Sequence, residues 1–445
     1  MTNVPVSPAA PVLPPELPIQ PVDHPVNLEL AVPGSKSITN RYLVMGALAD
    51  GKVTLRRLLH SDDTCFMVEG LRKLGFRVEP DWDAQLCRIW GQGGTIPAPG
   101  AEIFCGAAGT VMRFLSAAVA LGHGRFRLDG TARMRERPMD DLLEGLRQLG
   151  VQARSEFDNG CPPVIIDADG LPGGPTTVDG SRSSQYISAL LLVAPYARQL
   201  MRIKVGGALV SRPFVELTLR TMADFGVLTE TGADQTYRPT HGGKYRSGQY
   251  EVEGDATAAS YFLAAAAILG GSCRITNVRG NSPQGDAAFA DLLWKMGCRV
   301  RRSFLAGGWG IEVSRDPGMP LRPINADLND MPDVVLTLAA VCMFADGTST
   351  ILNVGNLRIK ETDRLHALSS ELARLGAKVD VGEDYLEITP GPPKDAAVET
   401  YDDHRMAMAM SLVGLGRPGV VIKDPACVAK TYPRFFQDLE AFVRK

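Results

Sequence analysis

The stretch LRKLGFRV (residues 71–78) recurs in pattern at four later places in the chain. In each copy, apolar residues spaced for one face of a helix are followed by a glycine and a short run suited to a strand. A glycine in this place is typical of the left-handed residue that ends a helix. The later copies are LRQLGVQA (146–153), MADFGVLT (222–229), LWKMGCRV (293–300) and LARLGAKV (372–379), with glycines 71 to 79 residues apart.

A second series of apolar, alanine-rich stretches runs through the same units. Each stretch starts with small or polar residues and is then apolar on most faces of the helix that it predicts, which is typical of a buried helix. The starts are VPGSKS (32–37), CGAAGT (105–110), GSRSSQ (180–185), EGDATA (253–258), NDMPDV (329–334) and YDDHRM (401–406). Because repeats decide architecture, we predict an α/β fold of six repeated units, three in each of two domains.

Composition excludes several classes of protein. With 445 residues, 45% of them hydrophobic and 22% charged, the chain is expected to form at least two globular domains. The net charge of −3 argues against a nucleic-acid partner. No apolar run is long enough to cross a membrane. The eight cysteines are scattered singly, so we expect no metal site and no disulfides, and a cytoplasmic location.

The first 25 residues contain eight prolines and neither lysine nor arginine. They lack the charged start and apolar core of a signal peptide. We therefore predict that residues 1–25 form a mostly disordered arm.

The starts of the six apolar helices suggest a binding site. A helix N-terminus carries partial positive charge and unpaired N–H groups, so several of them directed at one space would attract an anion. Two domains facing each other in this way would hold an anion between them. The alternative is that these are ordinary capped core helices.

Cationic residues cluster near these helix starts, together with acids suited to proton transfer. Arginine can grip carboxylate or phosphate with two parallel bonds, and lysine acts as a point charge. A small substrate with several negative groups would account for the cluster, whereas solvated surface charge is the alternative. In RMRERP (133–138), alternation would direct all three arginines the same way. The candidates are Lys36, Arg41, Arg133, Arg135, Arg137, Lys360, Arg364, Arg405 and Lys430, with Asp333, Glu361 and His404 as proton carriers.

Several motifs together resemble those of the EPSP synthase (3-phosphoshikimate 1-carboxyvinyltransferase) family. They are, in order, PGSKSITNR, AAGTVMR, RERP, DGSRSSQYISALL, EGDATAASYFLAAAAI, RIKETDR, YDDHRMAM and AKTYP. The resemblance runs from about Val26 to the end. It implies an inside-out α/β barrel with an N-terminal domain at 34–253 and a C-terminal domain at 254–445. Residues 26–33 would cross back between the domains, and the arm would lie outside them.

The resemblance also implies a reaction. The enolpyruvyl group of phosphoenolpyruvate would pass to the 5-hydroxyl of shikimate 3-phosphate with release of phosphate, by addition and elimination through a tetrahedral intermediate. This is a step of the shikimate pathway to chorismate and the aromatic amino acids. The family needs no cofactor and no metal, and a monomer is expected.

Site residues carry over by the same resemblance. Asp333 and Glu361 would be the proton-transfer pair, assisted by Lys36 and His404. Phosphoenolpyruvate would contact Lys36, Gly109, Arg137, Gln185, Arg364, Arg405 and Lys430. Shikimate 3-phosphate would contact Ser37, Arg41, Ser183, Ser184, Gln185, Ser211, Asp333, Asn356 and Lys360.

Three positions depart from the family pattern. Ala107 stands where asparagine is usual, Phe214 where many relatives have tyrosine, and Phe114 where many have proline. Since no ionic group is affected, we expect a modest loss of affinity. Gly109 is retained, and its replacement by alanine in tolerant relatives excludes glyphosate, so we expect glyphosate to compete with phosphoenolpyruvate.

Two other functions are weighed. UDP-N-acetylglucosamine enolpyruvyl transferase shares the fold but typically has Gly-Ala-Lys-Asn where this chain has Gly34-Ser35-Lys36-Ser37, and it uses a loop cysteine that RERP lacks. A non-catalytic binding protein built from similar repeats would tolerate loss of Asp333 and Glu361.

Overall fold

The computed structural model describes residues 11–303 and 310–444, which form two compact lobes. The N-lobe is Gly34–Val252, and the C-lobe comprises the chain up to Pro33 together with the chain from Glu253. The chain begins in the C-lobe with strands β1 (Glu16–Pro18) and β2 (Val26–Leu30). The expected boundary at 253/254 thus lies one residue beyond the observed division, because Glu253 accepts hydrogen bonds from Arg279 of the C-lobe.

The N-lobe contains three repeats that alternate buried helices with strands. The first repeat has α1 (Lys36–Leu48), β3 (Asp50–Arg56), α2 (Asp62–Lys73), β4 (Arg77–Asp81) and β5 (Leu86–Gln92). The second has β6 (Gly100–Phe104), α3 (Gly109–Ala118), β7 (His123–Asp129), α4 (Asp140–Gln148), β8 (Gln152–Ser155) and β9 (Val164–Asp169). The third has β10 (Gly173–Asp179), α5 (Ser184–Val193), β11 (Gln199–Gly206), α6 (Arg212–Asp224), β12 (Thr229–Thr231) and β13 (Thr236–Pro239), and β14 (Arg246–Glu251) closes the lobe.

The C-lobe repeats the same order. Its first repeat has α7 (Ala256–Leu269), β15 (Gly271–Ile275), α8 (Phe289–Lys295), β16 (Arg299–Ser303) and β17 (Gly310–Arg315). The next has β18 (Asn325–Asp327), α9 (Val335–Cys342), β19 (Ser349–Leu352), α10 (Arg364–Arg374), β20 (Lys378–Val381) and β21 (Leu386–Thr389). The last has β22 (Ala396–Val398), α11 (His404–Gly416), β23 (Val420–Lys423) and α12 (Phe435–Val443).

Each repeat has a sheet of its own. Within the described ranges, five sheets have four strands and one has three. The second repeat shows the common order, β6-β7-β9-β8, in which β6 and β7 are parallel and the other neighbours are antiparallel. In the first and fourth repeats the parallel edge strand comes from elsewhere in the chain: β14 pairs with β3, and β2 pairs with β15. The prediction of six α/β repeats is confirmed.

The predicted helix ends are also confirmed. Gly75, Gly150, Gly226, Gly297 and Gly376 follow α2, α4, α6, α8 and α10, and all have φ between +86° and +104°. The six apolar stretches form α1, α3, α5, α7, α9 and α11, which are buried along most of their length. In each lobe residues of these three helices belong to one hydrophobic core, which fixes the helices that carry the N-terminal residues.

The prediction that residues 1–25 are mostly disordered is wrong for the described part of the arm. Strand β1 pairs antiparallel with β23, and Ile19 is buried against Gly414 and Val420 of the last repeat. The alternation of Leu13, Leu17, Ile19 and Val22 among the prolines supplies the apolar side chains that pack on the core. Proline is compatible with an edge strand of this kind. Residues 1–10 lie outside the described ranges.

No helix in residues 11–303 and 310–444 combines the length and the apolar character needed to cross a membrane. All eight cysteines are unbridged thiols.

Candidate active site

Lys36 begins helix α1 beside a buried carboxylate of the N-lobe. The Ser35 side chain caps the helix by accepting a hydrogen bond from the N–H of Ile38. The Lys36 Nζ lies 3.4 Å from Oδ2 of Asp63, which lies in the first turn of helix α2 and is 2% exposed. This places one cation at the N-terminus of α1, where the helix dipole adds positive potential.

Arg41 ties α1 to α5 and α6 through neutral acceptors. Its guanidinium donates to Thr218 Oγ1 at 2.8 Å, to the Phe214 carbonyl at 3.0 Å and to the Ser37 carbonyl at 2.9 Å. Burial lowers the pKa of Arg41 to about 9. A guanidinium remains charged at neutral pH. Because the acceptors around Arg41 are uncharged, this buried cation would attract an anion.

Gly109, Arg137 and Gln185 meet at the start of α3. A Cβ added at Gly109 would lie 3.0 Å from Arg137 Nη2 and 3.2 Å from Gln185 Oε1. Arg137 is 6% exposed and donates to the Ala107 carbonyl at 3.3 Å. These three residues, which the resemblance assigns to phosphoenolpyruvate, thus lie close together. The departure at Ala107 leaves its backbone contact to Arg137 in place.

The N-terminus of α5 and the Ser211 turn complete this part of the N-lobe. Ser183 caps α5 by accepting from the N–H of Gln185 at 3.2 Å, and Ser184 is the first residue of the helix. Ser211 precedes α6 with φ +55°, and its buried hydroxyl has no hydrogen-bond partner among the described residues. A strained backbone and an unsatisfied buried hydroxyl are typical of a ligand-binding position.

Three carboxylates of the C-lobe surround the guanidinium of Arg364, which is 1% exposed, and two of them, Asp333 and Glu361, were predicted site residues. Arg364 forms two hydrogen bonds to Asp403, with Nε to Oδ2 at 2.7 Å and Nη2 to Oδ1 at 3.2 Å. It also lies 3.0 Å from Glu361 and 3.4 Å from Asp333. Burial alone would lower the pKa of Arg364, but these carboxylates outweigh it and raise the pKa. One guanidinium therefore holds both predicted proton carriers.

Arg405, Lys430 and His404 extend this cluster. Arg405 Nη2 lies 2.8 Å from Asp333 Oδ2, and Lys430 Nζ lies 3.8 Å from Glu361 Oε1. His404 is fully buried, with Nδ1 3.6 Å from Asp403 Oδ1. Burial would lower the pKa of Arg405, but Asp333 is foremost among the groups that raise it. Three cations and three carboxylates, all mostly buried, form a site suited to a charged substrate.

Asn356 and Lys360 precede this cluster on a short 3-10 helix, Gly355–Ile359, and the residue that follows it. Both amide atoms of Asn356 are buried and make no hydrogen bond within the part of the chain that the structure describes. An unsatisfied amide of this kind fits the predicted role of Asn356 in binding a polar ligand.

The expectation that the three arginines of RMRERP point the same way is wrong. The segment forms a 3-10 helix, Met134–Glu136, and not an extended strand end. Arg133 pairs with Glu136, Arg135 pairs with Asp129 of β7, and only Arg137 is buried. The tight helix distributes successive side chains around its axis, so a single cation of this run belongs to the candidate site.

Three residues of these clusters had been given no role by sequence reasoning. Asp63 faces Lys36, Asp403 holds Arg364, and Arg113 donates to the carbonyls of Gly109 and Pro138. Asp403 and Arg113 lie inside the motifs YDDHRMAM and AAGTVMR, so their presence there was a signal. For Asp63 the only signal in the sequence was its place in the first turn of a helix.

Comparisons with known proteins show the family of the chain. The family model of EPSP synthase (3-phosphoshikimate 1-carboxyvinyltransferase) matches residues 22–439. The chain belongs to the EPSP synthase family. Relatives named 3-phosphoshikimate 1-carboxyvinyltransferase are 45% identical in Sulfurovum sp. (strain NBC37-1) and 46% identical in Shewanella amazonensis, over 95% of this chain and 97% of each relative.

Solved structures share the fold over nearly the whole chain. An EPSP synthase from Acinetobacter baumannii has a TM-score of 0.79 and 26% identity, covering 96% of this chain and 98% of that one. The enolpyruvyl transferase NikO from Streptomyces tendae has a TM-score of 0.72 at 19% identity, which is a likeness of fold alone. The predicted EPSP synthase resemblance is confirmed, and the UDP-N-acetylglucosamine alternative gains no support.

Proposed function

We propose that this chain is a 3-phosphoshikimate 1-carboxyvinyltransferase, which transfers the enolpyruvyl group of phosphoenolpyruvate to the 5-hydroxyl of shikimate 3-phosphate and releases phosphate. The observation that carries the proposal is its membership of the EPSP synthase family over residues 22–439. The buried clusters around Arg364 and Gly109 support it, because substrates with two phosphates and carboxylates need several fixed cations.

We assign phosphoenolpyruvate to the cations at the helix starts. Arg364 and Arg405 are held rigidly by buried carboxylates, which supports fixed positions for their remaining N–H donors. Fixed donors stabilise developing charge without reorganising during the reaction. The assigned residues are Lys36, Gly109, Arg137 and Gln185 in the N-lobe, and Arg364, Arg405 and Lys430 in the C-lobe.

We assign shikimate 3-phosphate to a set of residues with more hydroxyl and amide side chains and fewer cations. Arg41 with its neutral acceptors, the unsatisfied Ser211 hydroxyl and the unsatisfied Asn356 amide support this assignment. Arg41 donates to the backbone carbonyl of Phe214, and this contact does not depend on whether the side chain is phenylalanine or tyrosine. The assigned residues are Ser37, Arg41, Ser183, Ser184, Gln185 and Ser211 in the N-lobe, and Asp333, Asn356 and Lys360 in the C-lobe.

Proton transfer is assigned to Asp333 and Glu361. Addition requires a proton at the phosphoenolpyruvate methylene and removal of the proton from the attacking hydroxyl. Elimination then takes a proton from the new methyl group as phosphate leaves. Two carboxylates on one guanidinium suit this exchange, because the shared cation fixes both acid–base groups beside the same charge. Lys36 and His404 are assigned assisting roles.

We also propose that the protein works as a monomer in the cytoplasm, without a cofactor.

Phosphate release from phosphoenolpyruvate tests the function. Shikimate 3-phosphate and UDP-N-acetylglucosamine are supplied as acceptors in separate reactions. Release with shikimate 3-phosphate alone is the expected result. Release with the sugar nucleotide alone would overturn the assignment of the acceptor, and folded protein that is inactive with both would favour a binding role.

A further inference from the structure

A buried carboxylate outside the assigned set lies behind the site in the C-lobe. Glu371 of helix α10 is 1% exposed. Its Oε2 lies 2.7 Å from Arg374 Nη1 and accepts a hydrogen bond from the N–H of Glu399 at 3.2 Å. Its Oε1 accepts from the hydroxyl of Tyr401 at 2.9 Å. Glu371 therefore joins α10 to the segment that precedes α11.

Tyr401 stands in an unusual backbone conformation. Tyr401 and Asp402 have φ +56° and +54°, and the N–H of Asp403 donates to the Thr400 carbonyl at 2.9 Å. Two positive φ values at the centre of a hydrogen-bonded turn are characteristic of type I′, which favours asparagine and glycine. Left-handed tyrosine is uncommon and persists only where the surroundings hold it. The Tyr401 side chain is held by its hydrogen bond to Glu371, by a hydrogen bond with Ser370 and by packing against the C-lobe core.

The last residue of the turn contacts the cationic cluster. Asp403 is fully buried, grips Arg364 with both carboxylate oxygens, and accepts from the N–H of Arg405 at 2.9 Å as the cap of α11. A shift of this carboxylate would move the Arg364 guanidinium and loosen the start of α11. The conformation of the turn therefore determines the positions of Arg364 and Arg405 through Asp403.

We propose that Glu371 and Tyr401 are positioning residues of this site: the Tyr401 hydroxyl, held by Glu371, fixes the turn that places Asp403 and, through it, Arg364 and Arg405. The assignment of these arginines to phosphoenolpyruvate rests on the proposed function. The structural part of the proposal, from Glu371 to Asp403, stands on the contacts alone.

The variant Tyr401→Phe removes only the hydroxyl and tests the proposal. The KM for phosphoenolpyruvate is expected to rise about tenfold, since a hydrogen bond to a charged group is lost. The KM for shikimate 3-phosphate is expected to stay close to the wild-type value. Tyr385→Phe is the matched control, because Tyr385 donates to exposed Asp380 at 2.8 Å in the neighbouring sheet. It is expected to leave both constants unchanged.

Amide hydrogen exchange gives a second measurement that does not depend on activity. In Tyr401→Phe, the N–H groups of Asp403 and Arg405 are expected to exchange faster than in the wild type. A lower melting temperature with unchanged KM for phosphoenolpyruvate and unchanged exchange at these groups would overturn the proposal. If the wild-type protein releases no phosphate, the proposed function fails, and the exchange rates alone decide whether the Tyr401 hydroxyl positions Asp403.

Discussion

Gly109 shows how one missing methyl group shapes the N-lobe part of the site. A Cβ at this position would lie 2.9 Å from Arg113 Nη1 and 3.0 Å from Arg137 Nη2. Both atoms end flexible side chains, so Gly109→Ala is expected to displace the cations and leave the fold intact. We predict that the KM for phosphoenolpyruvate rises roughly tenfold, because small displacements of binding groups are costly. Steady-state kinetics with each substrate varied in turn measure it.

The same variant tests the expected competition with glyphosate. Inhibition of Gly109→Ala should require more glyphosate than inhibition of the wild type. Gly206→Ala is a suitable control, because the nearest atom to its added Cβ is Thr177 Cγ2 at 3.4 Å. An unchanged KM for phosphoenolpyruvate in Gly109→Ala would contradict the assignment of Arg137 to this substrate.

Asp286 gives a prediction about pH. Burial, followed by repulsion from Asp333, raises the pKa of Asp286 from 3.8 to about 7, against opposing contributions from Thr257 and Arg405. The unfolded chain releases this proton near pH 4, whereas the folded protein keeps it to about pH 7, so folding loses stability across that window. We predict that Asp286→Asn, which does not titrate, gains about 2–4 kcal/mol relative to the wild type as the pH rises through the window.

Urea unfolding at about pH 5 and about pH 8 measures this difference. Only the change between the two pH values matters, because the constant cost of the substitution cancels. Parallel behaviour of the two proteins would show that Asp286 is ionised in the folded state throughout this range.

At the scale of helices and strands, the five terminating glycines were predictable because backbone conformation is a local property. Gly297 and Gly376 share a backbone conformation but differ in how closely other atoms approach them. Substituting each with alanine therefore separates the cost of the conformation from the cost of packing. A Cβ at Gly297 would meet nothing nearer than Pro320 O at 3.8 Å, whereas one at Gly376 would lie 2.0 Å from Pro392 O. Both have positive φ, +103° and +104°.

We predict that Gly297→Ala costs about 1–2 kcal/mol of unfolding free energy, the price of a left-handed residue with a side chain. Gly376→Ala should cost clearly more, because the backbone of Pro392 must also move. Denaturant unfolding of the two variants under the same conditions measures both. Equal losses would mean that the Pro392 loop yields without strain.

The parts of the site that sequence could not predict depend on contacts between distant elements. His404, Arg405 and Lys430 were recognisable from their motifs, but nothing local shows that Asp403 grips Arg364 from 39 residues away. The direction of Arg133 and Arg135 was mispredicted for a different reason, since their partners lie only three and six residues away. Their partners, Glu136 and Asp129, stabilise a 3-10 turn that the alternation of charges does not indicate. Local pattern fixes helix starts, and ion pairing decides which charges face inward.

At the scale of the whole molecule, the two ends of the chain build one sheet. In the other five sheets, the strand in the position of β7 pairs antiparallel with a strand of its own repeat, as β7 does with β9. In the last sheet β23 has this position, and its antiparallel neighbour is β1 from the start of the chain. Composition alone mispredicted this segment, because proline content was weighed above the apolar residues between the prolines. The arm therefore completes the repeat that carries His404, Arg405 and Lys430.

This arrangement predicts that the arm contributes to the stability of the C-lobe. Ile19 is 8% exposed, and its side chain lies where a Cβ at Gly414 would approach to 2.6 Å. Ile19→Ala is expected to lower the unfolding free energy by about 2 kcal/mol, the lower end for a buried isoleucine because the site is at an edge. Val12→Ala, at a fully exposed residue of the same arm, is the control and should change nothing. If Ile19→Ala unfolds at the same denaturant concentration as the wild type, the arm covers the last repeat without stabilising it. If Ile19→Ala lowers the unfolding free energy and Val12→Ala does not, the segment around Ile19 stabilises the repeat formed by the last fifty residues of the chain.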